Sequence, residues 1–311
     1  MSFIIIVLIS AIVFLTLLYL FFPEQIVLLM RWLMRKRARV ERKTVTVDGR
    51  TWPYLEGGDP LKPTLVMVHG FGADKDHWTF YAPWLTKDYR LIAPDLPGFG
   101  ENDRDGELPF DVGSQAARLK GFLDALGIDR PHLGGNSMGG WIALRFAIDY
   151  PGALRTLTLM NNAGILGADE SELQKLAANR DYNPLVIANL EDADRLIAFV
   201  VRKPTYVPAR LKPVIYADAL KHRDLLDKIF WAIADEMEAK PLNDELHKVT
   251  VPTLIIWGRH DKLIDVSCVA VLEKGIARSN SHIFEHVAHV PMIEDPKATA
   301  EVQRAFLGEH P

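Results

Sequence analysis

Ser137 is the residue with the clearest potential for covalent chemistry, because residues 135–139 read G-N-S-M-G. The residues before it are expected to end a strand at 132–135, and an apolar helix is expected over 140–147. A G-x-S-x-G segment between a strand and a helix places its serine on a sharp, strained turn with the hydroxyl exposed. A Cβ at Gly135 or Gly139 would block the close approach of strand and helix. The sequence therefore predicts that Ser137 is a nucleophile, and the flanking pattern disfavours the alternative of a glycine-rich turn that contains a serine by coincidence.

A serine nucleophile needs a base that accepts its proton. The chain has ten histidines, so the base has to be chosen among them. His289 follows the strand expected at 281–284 and precedes a helical run at about 299–307. We predict that His289 is the base, and His286, near the end of the same strand, is the alternative.

The base in turn needs a group that orients it. Asp261 follows a buried strand at 253–257 that ends in Gly258. Active-site residues of open α/β sheets gather at the carboxyl ends of the strands. We therefore predict that Asp261 is the orienting acid, with a turn aspartate that caps the next helix as the alternative.

The negative charge that develops on an attacked carbonyl needs backbone donors. An apolar strand expected at 63–68 is followed by H-G-F-G at 69–72. The backbone N–H groups of Phe71 and Met138 are the predicted donors of this oxyanion hole.

The elements that would position these residues alternate between strands and helices. An opening hairpin is expected at 44–48 and 50–55, followed by strands at 63–68, 90–95, 132–135, 154–160, 253–257 and 281–284. This alternation predicts an α/β fold with a mostly parallel sheet and helices on both faces. Between the fourth and fifth of these later strands the pattern stops, and helices are expected at 169–179, 184–203, 208–218 and 224–238. We predict a core of residues 44–164 and 247–311, with an inserted helical cap at 165–246.

Residues 3–22 carry no charge and could form a helix about 30 Å long, which matches the hydrocarbon core of a bilayer. A cleaved signal peptide is the alternative, but it would need a basic start, a shorter apolar run and small residues at the cleavage site. We therefore predict a retained transmembrane helix over residues 1–23.

Residues 24–43 are predicted to form a basic, amphipathic juxtamembrane helix. Its basic face holds Arg31, Arg35, Arg39 and Arg42, and its apolar face holds Ile26, Leu29, Met30, Leu33 and Val40. The basic face is expected to contact anionic lipid headgroups, with a plain basic linker as the alternative. The two N-terminal segments also offer surfaces for a homodimer through residues 1–40.

Composition excludes several other classes of protein. The single cysteine, Cys268, leaves no intramolecular disulfide, and histidines, cysteines and carboxylates show no metal-ligand spacing. Neither metal nor cofactor is therefore expected. Nucleic acid is not expected as a partner either, because the basic run abuts an apolar segment and the chain as a whole has a net charge of −4.

From about Lys43 to its end, the sequence resembles the α/β-hydrolase superfamily. The motifs are D-L-P-G-F-G at 95–100, G-N-S-M-G-G at 135–140 and I-I-W-G-R-H-D at 255–261. Together with the apolar N-terminus, they resemble membrane-associated monoacylglycerol lipases and bacterial membrane-anchored lipases, including membrane-bound phospholipase A1 of the PlaF type. Two positions depart from the family pattern: Ala288 stands where glycine is usual, and Asn102 where serine is common.

The resemblance implies a Ser137–His289–Asp261 triad, with Phe71 and Met138 as oxyanion donors. It also implies a serine hydrolase that cleaves fatty-acyl esters of membrane glycerolipids, of the phospholipase A1, lysophospholipase or monoacylglycerol lipase type. The alternatives are a carbon–carbon bond hydrolase of ring-cleavage products, which carries a similar serine motif, and a catalytically silent, membrane-tethered binding protein. A single-pass protein of the bacterial inner membrane is expected; the positive-inside rule favours a cytoplasmic catalytic domain, and the resemblance favours a periplasmic one.

Overall fold

The computed structural model describes residues 2–204 and 206–311. It begins with α1 (Ser2–Phe21), which is exposed along nearly its whole length and is long and apolar enough to cross a membrane. Pro23 starts a second helix, α2 (Pro23–Ala38). Proline suits a first helical position because its missing N–H would lack a partner there anyway. The two helices form an N-terminal stalk, α1–α2.

The predicted end of the juxtamembrane helix at residue 43 is wrong. Helix α2 ends at Ala38, and Arg39 takes a left-handed conformation with φ of 55° that stops it. Residues from Val40 onward belong to strand β1 (Val40–Val47), which pairs along its whole length with β2 (Arg50–Gly57). Backbone pairing with β2 therefore overrides the helical charge spacing, so that the hairpin begins four residues earlier than expected.

The prediction that four arginines form one lipid-contacting face is wrong for Arg35 and Arg42. Arg35 forms a two-pronged ion pair with Asp76 of the α/β domain, with both N–O distances 2.6 Å. Arg42 lies on β1 and pairs with Glu101. These two side chains are therefore engaged with acidic groups of the protein itself.

The side of α2 that points away from the domain is apolar. Val27 and Ala38 are buried on the inner side. Four large side chains on the outer side are each more than half exposed: Leu28, Leu29, Trp32 and Leu33. The helix is amphipathic as predicted, but its arginine side includes the face that docks on the protein.

An eight-stranded sheet forms the centre of the domain, in the order β1-β2-β4-β3-β5-β6-β7-β8. The later strands are β3 (Thr64–Val68), β4 (Arg90–Pro94), β5 (His132–Asn136), β6 (Thr156–Met160), β7 (Thr253–Gly258) and β8 (Ser279–Phe284). The pairs β1–β2 and β2–β4 are antiparallel, and all others are parallel. The predicted fold class, a mostly parallel sheet with flanking helices, is confirmed.

Two apolar layers cover the sheet. Val66 and Val68 of β3 face one layer, whereas Leu65 and Met67 face the other, as the two-residue period of a strand requires. The first layer is packed by α3 (Val112–Ala125), α4 (Met138–Asp149) and α10 (Cys268–Gly275). The second is packed by α11 (Pro291–Glu294), α12 (Pro296–Gly308) and the turn segment 75–85.

The segment between β6 and β7 is helical, as predicted; its first helices are shorter than expected, whereas the last one, expected at 224–238, is slightly longer. They are α5 (Glu172–Ala177), α6 (Leu190–Val200), α7 (Lys212–Ile215), α8 (Ala217–Lys221) and α9 (Arg223–Ala239). Side-chain caps set two of the starts, since Ser171 and Asn189 each form a capping box. Near α7, Arg210 donates from Nε to the Leu20 carbonyl at 2.8 Å, which joins this segment to the end of α1.

Candidate active site

Ser137 lies on the turn between β5 and α4 with φ of 56° and ψ of −123°. A non-glycine residue with positive φ is strained and persists only where its surroundings hold it. Here its N–H donates to the Met160 carbonyl at 3.0 Å, and its own carbonyl accepts from Ala163 N at 3.0 Å. A Cβ on Gly135 would come within 2.3 Å of Gly139, so the strand and helix meet as closely as the sequence motif requires.

His289 and Asp261 form a buried hydrogen-bonded pair. The distance from His289 Nδ1 to Asp261 Oδ2 is 2.8 Å, and both side chains are at most 4% exposed. The pair stands beside the serine turn, because Asn136, the residue before Ser137, donates from Nδ2 to the His289 carbonyl at 3.0 Å. The structure thus brings His289 and Asp261 together from the ends of β7 and β8, and it places the His289 backbone against the residue before Ser137 at the end of β5.

The alternative base, His286, lies elsewhere. Its side chain is 57% exposed, and its Nε2 is 2.8 Å from Asp295 Oδ2. Both residues follow β8, but only His289 turns inward to Asp261. The geometry therefore favours His289 as the base.

Asp261 is held by four donors. Its Oδ1 accepts from Leu263 N at 2.8 Å and from Ile264 N at 3.1 Å. Its Oδ2 accepts from Asn161 Nδ2 at 2.6 Å as well as facing His289 Nδ1. Every lone-pair direction of the carboxylate is thus engaged, which fixes its orientation and that of the imidazole.

Asn161 is a site residue that the sequence analysis missed. It is fully buried, has φ of 45°, and its Oδ1 accepts from Gly258 N at 3.3 Å. Its amide therefore ties the end of β6 to the end of β7 and to Asp261. A signal existed, because an asparagine pair directly follows a buried strand at the active-site edge of the sheet.

The loop after β3 carries the predicted oxyanion donor Phe71. His69 begins this loop, and its Nε2 accepts from Leu96 N at 3.0 Å. Burial lowers the pKa of His69 to about 4, so the ring is neutral near pH 7 and Nδ1 can donate to the Gly70 carbonyl, 2.8 Å away. The loop passes close to the serine, since a Cβ on Gly70 would lie 3.1 Å from Ser137 Cβ.

Met138, the other predicted donor, opens helix α4. The first N–H groups of a helix have no intrahelical acceptor, and they carry the positive end of the helix dipole. This N–H is therefore placed to stabilise negative charge next to Ser137.

An apolar cavity opens at Ser137 beneath the helical segment. Its walls come from the loop after β3 through Phe71, from α4 through Trp141, from α5 through Leu173, and from α9 through Phe230 and Ile233. Phe71 and Phe230 meet edge to face, with ring centroids 5.8 Å apart. The cavity suits a hydrocarbon group attached to a carbonyl.

Cys268 also lines the cavity, but burial raises the pKa of its thiol to about 12. A thiol with such a pKa is protonated near neutral pH, and only the thiolate is a good nucleophile. Ser137 is therefore the better placed nucleophile of the two.

Comparison with known proteins relates the chain to lipid-acting enzymes. It is 34% identical to Lipase 1 of Psychrobacter immobilis over 275 residues, which cover 88% of this chain and 86% of the relative. It is 28% identical to human monoacylglycerol lipase ABHD6, with 93% and 88% coverage. A solved structure described as a membrane phospholipase A and bacterial virulence factor matches with a TM-score of 0.89 and 37% identity, covering 99% of each chain.

A second solved structure bears on the carbon–carbon hydrolase alternative. The meta-cleavage product hydrolase from Pseudomonas fluorescens IP01 matches with a TM-score of 0.74 at 24% identity. Identity at that level shows a common fold and nothing about the reaction. Residues 63–296 match the family described as alpha/beta hydrolase fold. With this match, and with sheet order, serine turn and His–Asp pair all in place, the chain belongs to the α/β-hydrolase fold family.

Proposed function

We propose that this carboxylic ester hydrolase cleaves fatty-acyl esters of membrane glycerolipids through an acyl-enzyme on Ser137. The observation that carries the proposal is the position of Ser137 at an apolar cavity, with the buried His289–Asp261 pair beside it. The relatives named as a lipase and a monoacylglycerol lipase support the same chemistry.

In the proposed mechanism, His289 Nε2 takes the proton of Ser137 as its oxygen attacks the ester carbonyl. Asp261 keeps the proton of the imidazole on Nδ1, so that Nε2 is free to act as the base. The backbone N–H groups of Phe71 and Met138 bind the oxyanion of the tetrahedral intermediate. The intermediate then collapses, the C–O bond to the alcohol breaks, and His289 gives its proton to the leaving alcohol; water repeats the sequence to release the fatty acid.

The cavity supports an acyl chain as the group bound by the enzyme. Residues 165–246 act as a cap in this proposal, and α5 and α9 supply apolar walls through Leu173, Phe230 and Ile233. Moving an acyl chain from lipid into water would cost about 0.8 kcal/mol per CH₂, and an apolar cavity avoids this cost. We propose activity of the phospholipase A1, lysophospholipase or monoacylglycerol lipase type.

The proposal places α1 across the bacterial inner membrane, with the catalytic domain on the periplasmic side. Arg31 and Arg39 remain proposed contacts for anionic headgroups, since among the described residues neither forms a close ion pair like those of Arg35 and Arg42. Protease accessibility in spheroplasts tests the orientation; protection of the domain would place it in the cytoplasm.

A homodimer through residues 1–40 is a further part of the proposal. It is supported by two helices with exposed apolar surfaces, α1 and the outer side of α2. Cross-linking in membranes over a wide protein-to-lipid range tests it, and monomer throughout that range would contradict it.

The direct test is to incubate the purified full-length protein with vesicles of phosphatidylethanolamine and phosphatidylglycerol, and with monoacylglycerol micelles. Mass spectrometry then identifies the released fatty acids and lysolipids. The expected result is ester cleavage by the wild type and none by Ser137→Ala, together with fluorophosphonate labelling of the wild type alone. Wild-type labelling without lipid cleavage would contradict the substrate class, and full activity of Ser137→Ala would contradict the mechanism.

A further inference from the structure

The oxyanion loop, residues 69–74, is held at its start by a contact with the neighbouring loop after β4. His69 accepts from the backbone of Leu96, as described above. Within the loop, Ala73 N donates to the Gly70 carbonyl at 3.3 Å, which closes a tight turn around Phe71. The position of the Phe71 N–H therefore depends on where the two ends of this short turn are fixed.

The far end of the oxyanion loop is fixed by a buried ionic cluster. Lys75 Nζ lies 2.6 Å from Asp95 Oδ2 and 2.8 Å from Glu101 Oε1, and the Lys75 and Asp95 side chains are at most 1% exposed. Asp95 also accepts from the backbone N–H groups of Lys75 and Glu101, both at 2.8 Å. Removing one partner of a buried ion pair of this kind lowers the free energy of unfolding by several kcal/mol, so the cluster is a firm attachment.

The same end of the loop is attached to the stalk. Asp74 caps the short 3₁₀ turn 75–80 by accepting from Asp76 N at 2.8 Å. Asp76 in turn receives both prongs of the Arg35 guanidinium from α2, with side chains only 19% and 12% exposed. The same guanidinium also lies near Glu101, with 3.5 Å between Arg35 Nη2 and Glu101 Oε1, so the arginine also reaches the buried cluster.

Planar, two-pronged pairing fixes both distance and angle between the partners. Asp76 lies five residues after Phe71 in the sequence, and the intervening turn is closed by its own hydrogen bonds. The Arg35–Asp76 pair, together with the contact from Arg35 to Glu101 of the buried cluster, therefore links the position of α2 to that of the oxyanion loop.

We propose that Arg35 is a positioning residue for catalysis, which holds the oxyanion loop through Asp76 and thereby couples the juxtamembrane helix to the oxyanion hole. This inference rests on the proposed function, in which the Phe71 N–H binds the oxyanion. The Phe71 N–H contacts the oxyanion only in the transition state, so a misplaced Phe71 N–H lowers kcat and leaves KM nearly unchanged. Misplacement of a reacting group by about 1 Å can cost about 100-fold in rate, and a looser loop gives a fall of about 10- to 100-fold in kcat.

The experiment compares Arg35→Gln with Arg37→Gln in the full-length protein in detergent, with p-nitrophenyl butyrate as substrate. Arg37 lies on the same helix and is exposed, so its variant controls for loss of a stalk charge. The expected result is a kcat reduced by about 10- to 100-fold for Arg35→Gln alone, with KM unchanged. An alkyl boronic acid, whose adduct with Ser137 places an oxygen in the oxyanion hole, should lose affinity by the same factor, whereas a free fatty acid should bind as in the wild type.

A kcat for Arg35→Gln within twofold of the Arg37→Gln value, or a change confined to KM, overturns the proposal. If Arg35→Gln does not fold, Arg35→Lys is the second variant, because it keeps the charge but loses the two-pronged geometry. Arg35→Lys should also lower kcat and leave KM unchanged, but with a smaller fall in kcat than Arg35→Gln. A wild-type kcat in Arg35→Lys would again overturn the proposal. Ser137→Ala measured in parallel distinguishes failure of the proposed function from failure of the positioning role. Activity in Ser137→Ala refutes the proposed function. An inactive Ser137→Ala together with an unaffected Arg35→Gln refutes the positioning role alone.

Discussion

Replacing Asp261 with asparagine tests the hydrogen-bond arrangement of the site most directly. The two backbone donors Leu263 and Ile264 face Oδ1, whereas Asn161 and His289 face Oδ2. An asparagine offers one carbonyl oxygen and one NH₂ group. Because a backbone N–H cannot become an acceptor, the oxygen of the new amide must take the Oδ1 position, and its NH₂ must then point at His289.

The consequence is a change of tautomer in His289. To accept from the new NH₂ group, Nδ1 must give up its proton, so the proton moves to Nε2, where Ser137 needs an acceptor. In serine triads, the equivalent substitution costs about 10⁴-fold in kcat, or about 5 kcal/mol of transition-state stabilisation. The free energy of unfolding should change much less, because both backbone hydrogen bonds to the Oδ1 position remain. The Asn161 amide, which now faces an NH₂ group, must rotate and lose its 3.3 Å hydrogen bond from Gly258 N, which costs about 1 kcal/mol.

The assay is the kcat for p-nitrophenyl butyrate of the purified variant, with urea unfolding as the measure of stability. Asp265→Asn is the matched control, since Asp265 lies in the same loop and accepts from the backbone of Ser267 at 2.8 Å. The control should keep nearly full activity. More than a tenth of wild-type kcat in Asp261→Asn would refute the assignment of Asp261 as the orienting acid, and a loss of activity that tracks unfolding would refute the tautomer argument.

Three further predictions follow from the site, the fold and the stalk. His289→Ala should abolish turnover as completely as loss of the serine, because triad members act as a unit, whereas His286→Ala should be mild; the reverse order in parallel assays would move the base to His286. Deletion of residues 1–22 should preserve butyrate hydrolysis and reduce hydrolysis of long-chain lipids in vesicles, and an equal fall in both would show that α1 is needed to build the site. Burial lowers the pKa of His132 to about 4 from about 6.5 in the unfolded chain, so the unfolded state binds more protons between these values and stability falls as the pH drops through that window. In urea unfolding, the free energy of unfolding of His132→Gln should fall less than that of the wild type as the pH is lowered, and an equal fall would contradict this origin.

The parts of the site that could be predicted from the sequence are those set by short-range geometry. The strained serine turn needs Gly135 and Gly139 within five consecutive residues, and a buried strand followed by a polar loop identifies Asp261. His289 could be preferred over His286 only by its position after the last strand, and the contact with Asp261 that distinguishes them is made in three dimensions.

Other features depend on long-range contacts that periodicity does not record. The helical spacing of charges continues past Ala38, but pairing of β1 with β2 ends the helix there. The helical spacing of four arginines predicts one face that contacts lipid headgroups. Asp76, forty-one residues away from Arg35, reverses that expectation. Asn161 was missed for the same reason, because its role appears only when the ends of β6 and β7 are brought together.

The contact between Arg210 and the carbonyl of Leu20 ties the segment before α7 to the end of α1. With α1 across the bilayer as proposed, Leu20 at its end would lie where the hydrocarbon layer gives way to headgroups, and the segment around Arg210 would be held at that level. A helix of this length matches a hydrocarbon thickness of about 30 Å, and thicker or thinner bilayers force tilt or local deformation. Since the domain is attached at this same point, such tilt would change the distance between the cavity and the lipid surface. Turnover of one fixed substrate should therefore depend on the acyl length of the surrounding host lipids, which would make the enzyme responsive to membrane thickness.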